Sequence, residues 1–265
     1  MKLATRCVAG ALIAIAAFAQ VAQAAPGNPV AAVPVKKAAA PVQLDRQAVE
    51  DIVRAYILEH PEILPEAMAL LEERETNRKV TALITDLEKP FKGAWLGNPD
   101  GDVVVVEFFD YACGYCRRSV PDVEKLLATD PNVKVVFREF PILGPASLDA
   151  ARVSLAAASS GQYQQVHAEL FGGRGLDDST IQSARRKAGI KLPKDLSPLD
   201  SELRNNNALA RQIGITGTPA FIVGGKLISG AVGYDVLKRH VDEARARKHG
   251  AKTSVSSTTP SEPSQ

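Results

Sequence analysis

The sequence predicts an α/β domain that is preceded by an all-helical segment. Residues 103–109 (VVVVEFF) form a nearly unbroken apolar, β-branched run, which is typical of a strand that is buried on both faces. Beyond residue 92 the chain alternates strand-like and helix-like patterns, as α/β domains do. Ahead of that point, apolar residues between Val49 and Leu87 recur at the spacing of one helix face, which indicates the helical segment.

Residues 1–24 have the pattern of a secretory signal peptide. Lys2 and Arg6 supply the charged start, residues 8–19 are uncharged, and the stretch that ends at Ala24 is an A-x-A cleavage motif. The alternative is a membrane anchor, but the uncharged run is about 12 residues long and a membrane span needs about 20. We therefore expect an exported, periplasmic protein that is cleaved near Ala24 and then has no stable membrane insertion.

The charge balance of the chain argues against nucleic-acid binding. The chain has 32 Lys and Arg against 30 Asp and Glu, a net charge of +2. Cleavage of the signal peptide would remove Lys2 and Arg6 and bring the net charge to about zero, since no acidic residue is lost with them. A nucleic-acid interface needs a basic stripe, and the sequence has none, so we expect no nucleic-acid partner.

The cysteines point to a reactive pair rather than to a structural disulfide. Of the three cysteines, Cys7 lies in the signal peptide, ahead of its apolar run, so the mature chain would hold only Cys113 and Cys116. Exported proteins often use well-separated cysteines to staple their fold. A disulfide between Cys113 and Cys116 would close too short a loop to stabilise the chain much, because that stabilisation grows with loop length.

The region ahead of the α/β domain divides into two parts. Residues 25–43 are predicted to be an Ala/Pro-rich linker and residues 44–92 to be helical. The apolar stripes of the helical part are too small to enclose a core alone, so they must pack on the same chain or on copies in another subunit. The pattern alone leaves both choices open. The stripes consist of Val49, Ile52, Val53, Tyr56 and Ile57, then Leu64, Met68 and Leu71, then Val80, Leu83, Ile84 and Leu87.

Residues 93–248 are predicted to form the α/β domain, with a disordered polar tail at 249–265. Its predicted strands are 103–109, 133–140, 220–223 and 226–229, and its predicted helices are 121–128, several within 146–212, and 234 to about 247.

Cys113 and Cys116 are predicted to be a redox pair with different roles. A strand followed by Cys-x-x-Cys and a helix places Cys113 at a helix N-terminus, where backbone N–H groups and the helix dipole favour a thiolate. Cys113 would attack a disulfide, and Cys116 would resolve the mixed disulfide. A structural zinc site needs about four Cys or His ligands, and the histidines lack ligand spacing, so we expect no zinc site and no cofactor. Copper(I) binding by the two thiolates stays open.

Three motifs resemble those of DsbA-like thiol-disulfide oxidoreductases. The resemblance covers about residues 93–247 and implies a thioredoxin-like fold with an inserted helical subdomain at about residues 146–212. The motifs stand in the family's order and read Glu-Phe-Phe-Asp-Tyr-Ala-Cys-Gly-Tyr-Cys (107–116), Phe-Arg-Glu-Phe-Pro-Ile-Leu-Gly (137–144) and Gly-Thr-Pro-Ala-Phe (217–221).

The resemblance also implies roles for residues around the cysteines. Thr218 and Pro219 would form a cis-proline loop that faces the cysteines, with the Thr218 backbone free to pair with an extended substrate. Glu107 would be a buried acid with a raised pKa that exchanges a proton with Cys116. Arg138 would be the basic partner of that acid. Gly114 and Tyr115 would tune the redox potential, whereas Arg117 and Arg118 are expected to be exposed charges.

The direction of electron flow is inferred from the residues between the cysteines. Strongly oxidising family members carry Pro-His there, whereas Gly114 and Tyr115 match the dipeptide of DsbC-type isomerases, which also have Thr before the cis-proline. Residues 44–90 resemble the N-terminal oligomerisation segment of ScsC-type proteins, which are linked to copper tolerance. This resemblance favours a homo-oligomer formed through residues 44–92.

The resulting hypothesis is an isomerase or reductase that acts on misoxidised protein clients. Its expected redox partner is a membrane electron donor of the DsbD type. The alternatives are a disulfide oxidase of the DsbA type and, from another class, a copper-binding or chaperone protein that uses the same cysteines.

Overall fold

The structure is a computed structural model that describes residues 45–173 and 175–255. The predicted signal peptide (1–24), the predicted linker (25–43) and the end of the predicted tail (256–265) lie outside the described residues. The described chain divides into two units, the first ending at Tyr56 and the second beginning at Ile57. Among the described residues, every helix is too short or too polar to span a membrane.

Three helices form the segment ahead of the sheet, which confirms its predicted helical character. They are α1 (Arg46–Glu59), α2 (Ile63–Ala82) and α3 (Ile84–Glu88). α1 ends just before His60-Pro61, because the residue that precedes a proline disfavours helical geometry. None of the residues of α1 is buried.

The last turns of α2 and the short α3 pack against the sheet of the same chain. Val80 and Leu87 are fully buried in a core cluster with sheet residues such as Val106 and Phe108. The first half of α2 is different, since Met68 keeps 70% of its surface exposed. The third apolar stripe (Val80 to Leu87) therefore packs on its own chain. Most side chains of the first two stripes (Val49 to Ile57 and Leu64 to Leu71) are exposed to solvent.

The second unit contains a five-stranded sheet in the order β1-β3-β2-β4-β5. β2 and β3 are parallel, and the other neighbouring pairs are antiparallel. Four strands agree with the prediction, and β1 was missed because a strand of three residues is too short for a detectable pattern. The strands are β1 (Trp95–Gly97), β2 (Val103–Phe109), β3 (Val133–Glu139), β4 (Ala220–Val223) and β5 (Lys226–Ser229).

Six further helices cover the sheet, and their order agrees with the thioredoxin-like fold with a helical insertion. α4 begins at Gly114, which agrees with the predicted helix N-terminus at Cys113. It extends beyond the predicted helical stretch 121–128, and Pro121 lies inside the helix. Residues 249–255 of the predicted tail are helical, since a single glycine at 250 costs only about 1 kcal/mol relative to Ala within a helix. The helices are α4 (Gly114–Thr129), α5 (Pro145–Ser159), α6 (Tyr163–Gly172), α7 (Asp178–Lys187), α8 (Ser197–Ile213) and α9 (Tyr234–Val255).

The two faces of the sheet belong to two separate core clusters. Successive side chains of a strand point to opposite faces, so Val105 and Phe109 lie on one face and Val106 and Phe108 on the other. The first cluster also contains Cys113 and Cys116, together with residues of α4, α5, α6 and α9. Residues of α8 and of the α2–α3 region pack on the opposite face.

Candidate active site

The two cysteines lie where β2 passes into α4. Cys113 is the N-terminal cap of α4, and its Sγ accepts a hydrogen bond from the backbone N of Cys116 at 3.4 Å. Both residues are free thiols, and Cys116 is fully buried whereas Cys113 keeps 6% of its surface exposed. Cys113 is therefore the thiol that an incoming disulfide can reach.

The surroundings move the two thiol pKa values in opposite directions. Burial acts to raise the pKa of Cys113, but hydrogen bonds with Thr218, Cys116 and Tyr115 outweigh it and lower that pKa. The pKa of Cys116 is strongly raised, first by burial and then by the nearby Glu107 charge. Near neutral pH, Cys113 is the thiol that ionises more readily and Cys116 holds its proton.

The loop ahead of β4 closes the site from the other side. The Thr218–Pro219 peptide bond is cis, and the Cys113 thiol donates to the Thr218 carbonyl at 3.3 Å. The predicted cis-proline loop facing the cysteines is thus present. Pro219 is buried while Thr218 is partly exposed, so Thr218 is the residue of this cis peptide that solvent reaches.

Glu107 lies in the middle of β2 on the face that carries the cysteines, and it is buried as expected. Burial, followed by the negative charge of Cys113, raises the pKa of Glu107 to about 8. A cavity of about 410 Å³ adjoins its side chain and is lined by residues of β1, β3, α4 and α6. Glu107 is therefore largely protonated at neutral pH and lies beside a space that reaches toward the surface.

Arg138 does not pair with Glu107, and the predicted role as its basic partner is wrong. In the register of β2 and β3, Glu107 is opposite Phe137 and Arg138 is opposite Phe108, so Arg138 points to the other face. There its guanidinium donates to Glu202 Oε1 at 2.8 Å and to Asn206 Oδ1 at 3.0 Å. It also donates to the carbonyl groups of Asp86, Leu87 and Lys89.

The residues next to the cysteines differ in their exposure to solvent. Tyr115 is exposed, with the Arg118 guanidinium 4.1 Å from its ring centroid, and Gly114 faces open space. Arg117 was expected to be exposed, but it is partly buried and donates to the carbonyls of Phe171 and Gly173. Those carbonyls lie at the C-terminal end of α6, where helix acceptors lack intrahelical partners.

Sequence reasoning missed a buried polar cluster behind the cysteines. The Tyr111 hydroxyl lies 2.8 Å from Ser154 Oγ and 3.0 Å from His167 Nδ1, and Ser154 donates to Glu139 Oε1 at 2.8 Å. Burial lowers the pKa of His167 to about 3. Burial also raises the pKa of Glu139 to about 7, although the hydrogen bond from Ser154 acts to lower it. The available signal was polar residues within predicted buried elements, but no local pattern connects residues so far apart in sequence.

Asp110 was missed as well, and it ties the redox loop to the segment after β3. Its Oδ1 accepts from the Ala112 N at 2.8 Å, and its Oδ2 accepts from the Ile142 N at 2.8 Å and the Leu143 N at 3.0 Å. The buried carboxylate is therefore shared by three backbone N–H groups. Two exposed aliphatic side chains, those of Ile142 and Leu143, are thereby held close to the cysteine loop.

Comparisons with known proteins agree with this geometry. Residues 104–242 match the family model described as a DSBA-like thioredoxin domain, and residues 45–76 match the N-terminal domain of the copper resistance protein ScsC. A linker-deletion mutant of ScsC from Proteus mirabilis is 29% identical, with a TM-score of 0.63, and the alignment covers 78% of this chain and 100% of that one.

Two further relatives extend the comparison. A thioredoxin-like oxidoreductase from Silicibacter pomeroyi DSS-3 is 42% identical, with a TM-score of 0.55, over 57% of this chain and 91% of that one. The Na(+)/H(+) antiporter NhaA 1 of Mycobacterium sp. (strain KMS) is 29% identical over 163 residues, which are 56% of this chain and 26% of that protein. This chain thus spans about a quarter of the length of the first curated relatives that it matches. From the matched domain, the structural neighbours and the Cys113–Cys116 geometry together, the chain belongs to the DSBA-like thioredoxin domain family.

Proposed function

We propose that the protein is a thiol-disulfide oxidoreductase that acts on protein clients, mainly as a disulfide isomerase or reductase. The observation that carries this proposal is the asymmetry of the two thiols. Cys113 is the accessible thiol and has a lowered pKa, whereas Cys116 is buried and has a raised pKa. A pair of this kind has one nucleophile and one resolving thiol.

The reaction begins when the Cys113 thiolate attacks one sulfur of a client disulfide. The client S–S bond breaks, a Cys113–client disulfide forms, and the second client sulfur leaves as a thiolate. In isomerisation, another client thiolate attacks the client sulfur of this mixed disulfide and releases the Cys113 thiolate, with no net transfer of electrons. In reduction, Cys116 loses its proton and attacks Cys113 Sγ, so that two electrons pass to the client as the Cys113–Cys116 disulfide forms.

Glu107 is the proposed proton acceptor for Cys116. The negative charge of Cys113 contributes to the raised pKa of Glu107. That charge disappears once Cys113 is in a mixed disulfide, so the pKa of Glu107 falls and the carboxylate becomes available just when Cys116 must lose its proton. Thr218 and Pro219 have the proposed role of holding the client segment against Cys113, with backbone pairing as in an added strand.

The proposed direction rests on the residues that separate the cysteines. Gly114 and Tyr115 place no histidine beside the Cys113 thiolate, so the dithiol lacks the stabilisation that makes strongly oxidising pairs. A site that stays reduced needs an electron donor, and we assign this role to a membrane partner of the DsbD type in the periplasm. The predicted signal peptide at residues 1–24 is the basis for that location.

Self-association is proposed through the helical segment 44–92. Large apolar side chains of α1 and of the first half of α2 are exposed, among them Ile52 at 61% and Met68 at 70%. Exposed apolar surface on this scale commonly marks a protein interface. We expect Ile52→Glu with Met68→Glu to lower the sedimentation mass of the mature chain, and an unchanged mass would contradict this assignment.

The direction is tested by the equilibrium reduction potential of the Cys113–Cys116 pair against glutathione. A potential of about −180 mV or lower lies in the range of isomerase-type and reducing pairs, which supports the proposal. A potential near about −120 mV is that of a strong oxidant and would make the protein an oxidase of the DsbA type.

The exchange chemistry itself is tested with Cys116→Ala, which removes the resolving thiol. We expect this variant to accumulate disulfide-linked complexes through Cys113, detected as bands on nonreducing gels that dithiothreitol removes. Cys113→Ala is the matched control and should accumulate none. Absence of complexes from both variants would favour the alternative of a copper-binding or chaperone protein.

A further inference from the structure

A groove of about 680 Å³ lies between α5 and α8, the first and last helices of the helical insertion. Its apolar floor includes Pro141, Leu148 and Leu203, and its polar lining is dominated by Arg152, Arg204 and Arg211. Nothing in the proposed exchange chemistry uses these residues. The groove therefore combines apolar surface with an excess of positive charge outside the redox site.

One face of α8 supplies most of this lining. Asp200, Arg204, Asn207 and Arg211 are spaced by four, three and four residues, which places them along one side of the helix. Leu203 lies on the same side, three residues after Asp200 and four before Asn207. Leu203 is buried, and both Arg204 and Arg211 are exposed. The apolar and basic side chains of the groove thus run parallel along the helix.

The positive charge of the groove is only partly neutralised within the chain. Arg152 binds Asp200 through two contacts, Nε to Oδ1 at 2.8 Å and Nη2 to Oδ2 at 3.1 Å. Within the part of the chain that the structure describes, no carboxylate lies within salt-bridge distance of Arg204 or Arg211. Those two guanidinium groups are available to a carboxylate from outside the chain.

The groove is continuous with the redox loop. Pro141, which lines the groove, directly precedes Ile142 and Leu143, whose N–H groups donate to the Asp110 carboxylate. Asp110 in turn holds the loop that carries Cys113. Ile142 and Leu143 are 40% and 55% exposed, so apolar surface extends from beside the cysteine loop into the groove.

We propose that this groove binds an extended segment of the client polypeptide that carries both acidic and apolar residues, while Cys113 attacks the client's disulfide. This inference rests on the proposed function and adds a substrate preference to it. Apolar side chains of the client pack on Pro141 and Leu148, which are partly exposed. Its carboxylates pair with Arg204 and Arg211, whose planar groups suit carboxylate recognition. A client is the occupant that fits best, because Pro141 of the groove adjoins the segment that Asp110 ties to the cysteine loop.

The test uses the full mature chain and two synthetic peptides that share one internal disulfide and one set of apolar residues. The flanking segment of one peptide carries glutamates, and lysines replace them in the other. We expect wild-type protein in the dithiol form to reduce the acidic peptide with the higher kcat/KM, and added salt to shrink the difference.

The decisive variant is Arg204→Glu with Arg211→Glu. We expect kcat/KM for the acidic peptide to fall about tenfold and kcat/KM for the basic peptide to rise, since exposed interfacial charges act mainly on association. Turnover of a small aromatic disulfide and the reduction potential should not change. Arg204→Gln with Arg211→Gln is a second variant that removes the two charges without reversing them. It should lower kcat/KM for the acidic peptide by a smaller factor.

The matched control is Arg186→Glu with Arg239→Glu, which reverses the same number of exposed charges outside the groove. Equal loss in the groove and control variants would mean a general effect of net charge and would overturn the groove assignment. Loss of small-disulfide turnover in the groove variant would also overturn the groove assignment, because the substitutions would then have damaged the redox pair or the fold. Failure of the wild type to react with the small disulfide would instead refute the proposed exchange function.

Discussion

Each face of the sheet buries an ionisable side chain, Arg138 on one face and Glu107 on the other, and the two side chains have different surroundings. On one face Arg138 is surrounded by acceptors from the α2–α3 region and from α8. On the other face Glu107 is buried beside a cavity, with the Cys113 sulfur as its main charged neighbour. A buried charge whose partners are complete is structural, whereas a buried acid without a counter-charge keeps a shifted pKa that chemistry can use.

The largest expected effect is that of Arg138→Met. It would leave Glu202, Asn206 and several backbone carbonyls without their donor in a buried region, so we expect a loss of about 3 to 5 kcal/mol in the free energy of unfolding. Urea denaturation measures this loss, and the reduction potential should stay the same. Arg186→Met, at an exposed position, is the control and should change stability by less than about 0.5 kcal/mol. A stable Arg138→Met protein with an altered potential would reverse the assignment of the two faces.

Glu107→Gln is expected to have the next largest effect, and its sign depends on pH. The pKa of Glu107 is raised from 4.5 in the unfolded chain to about 8 in the folded dithiol form. Between these values the folded state binds more protons than the unfolded state, so the wild type loses stability as pH rises from about 4.5 to about 8. The variant lacks this loss. As pH rises through this range, we expect its free energy of unfolding to increase by about 2 to 4 kcal/mol relative to that of the wild type.

Urea denaturation of the reduced proteins at pH 5 and pH 8 measures this relative gain. The same variant should slow the release of client from Cys113, because Cys116 would lose its proton acceptor. An equal stability difference at both pH values would show that Glu107 has an ordinary pKa, and the contrast between the faces would then disappear.

The smallest of the three effects is expected for Ser154→Ala, which tests whether the hydrogen bonds of the polar cluster on the cysteine face contribute to stability. The change removes hydrogen bonds to Glu139 Oε1 and to the Tyr111 hydroxyl. Loss of a buried hydrogen-bond partner lowers the free energy of unfolding by about 1 to 3 kcal/mol, and urea denaturation again measures this change. Ser159→Ala, whose hydroxyl bonds within its own helix near the surface, is the control. Equal small changes in both variants would mean that the cluster adds nothing to stability.

Much of the fold could be predicted from local patterns. β2, β4 and β5 have their predicted bounds because each is a short apolar run between turn-forming residues. β1 could not be predicted, since three residues carry no period and the strand exists only through its pairing with β3. The helical pattern was recognised only from residue 121, because a proline usually marks a first helical turn. The Cys-x-x-Cys motif nevertheless placed a helix N-terminus at Cys113, where α4 is capped.

Sequence reasoning also identified some residues of the candidate site and missed others. Cys113, Cys116, Glu107 and the Thr218–Pro219 loop were found because short motifs carry them. No role was assigned to Asp110, Glu139 or His167. The first two lie within the quoted motifs, but the sequence does not show which side chains and backbone groups they contact in the fold.

The sequence by itself determined the reactive cysteine pair, the strands that flank it and the acid within β2, since these depend on residue type and short-range spacing. Only the tertiary structure decided which face of the sheet each buried charge occupies. The register of β2 and β3 places Arg138 opposite Phe108 and away from Glu107. A shift of one residue in that register would move the side chains of β3 to the opposite face. Because both strands are buried along nearly their whole length, their local patterns do not distinguish the two faces.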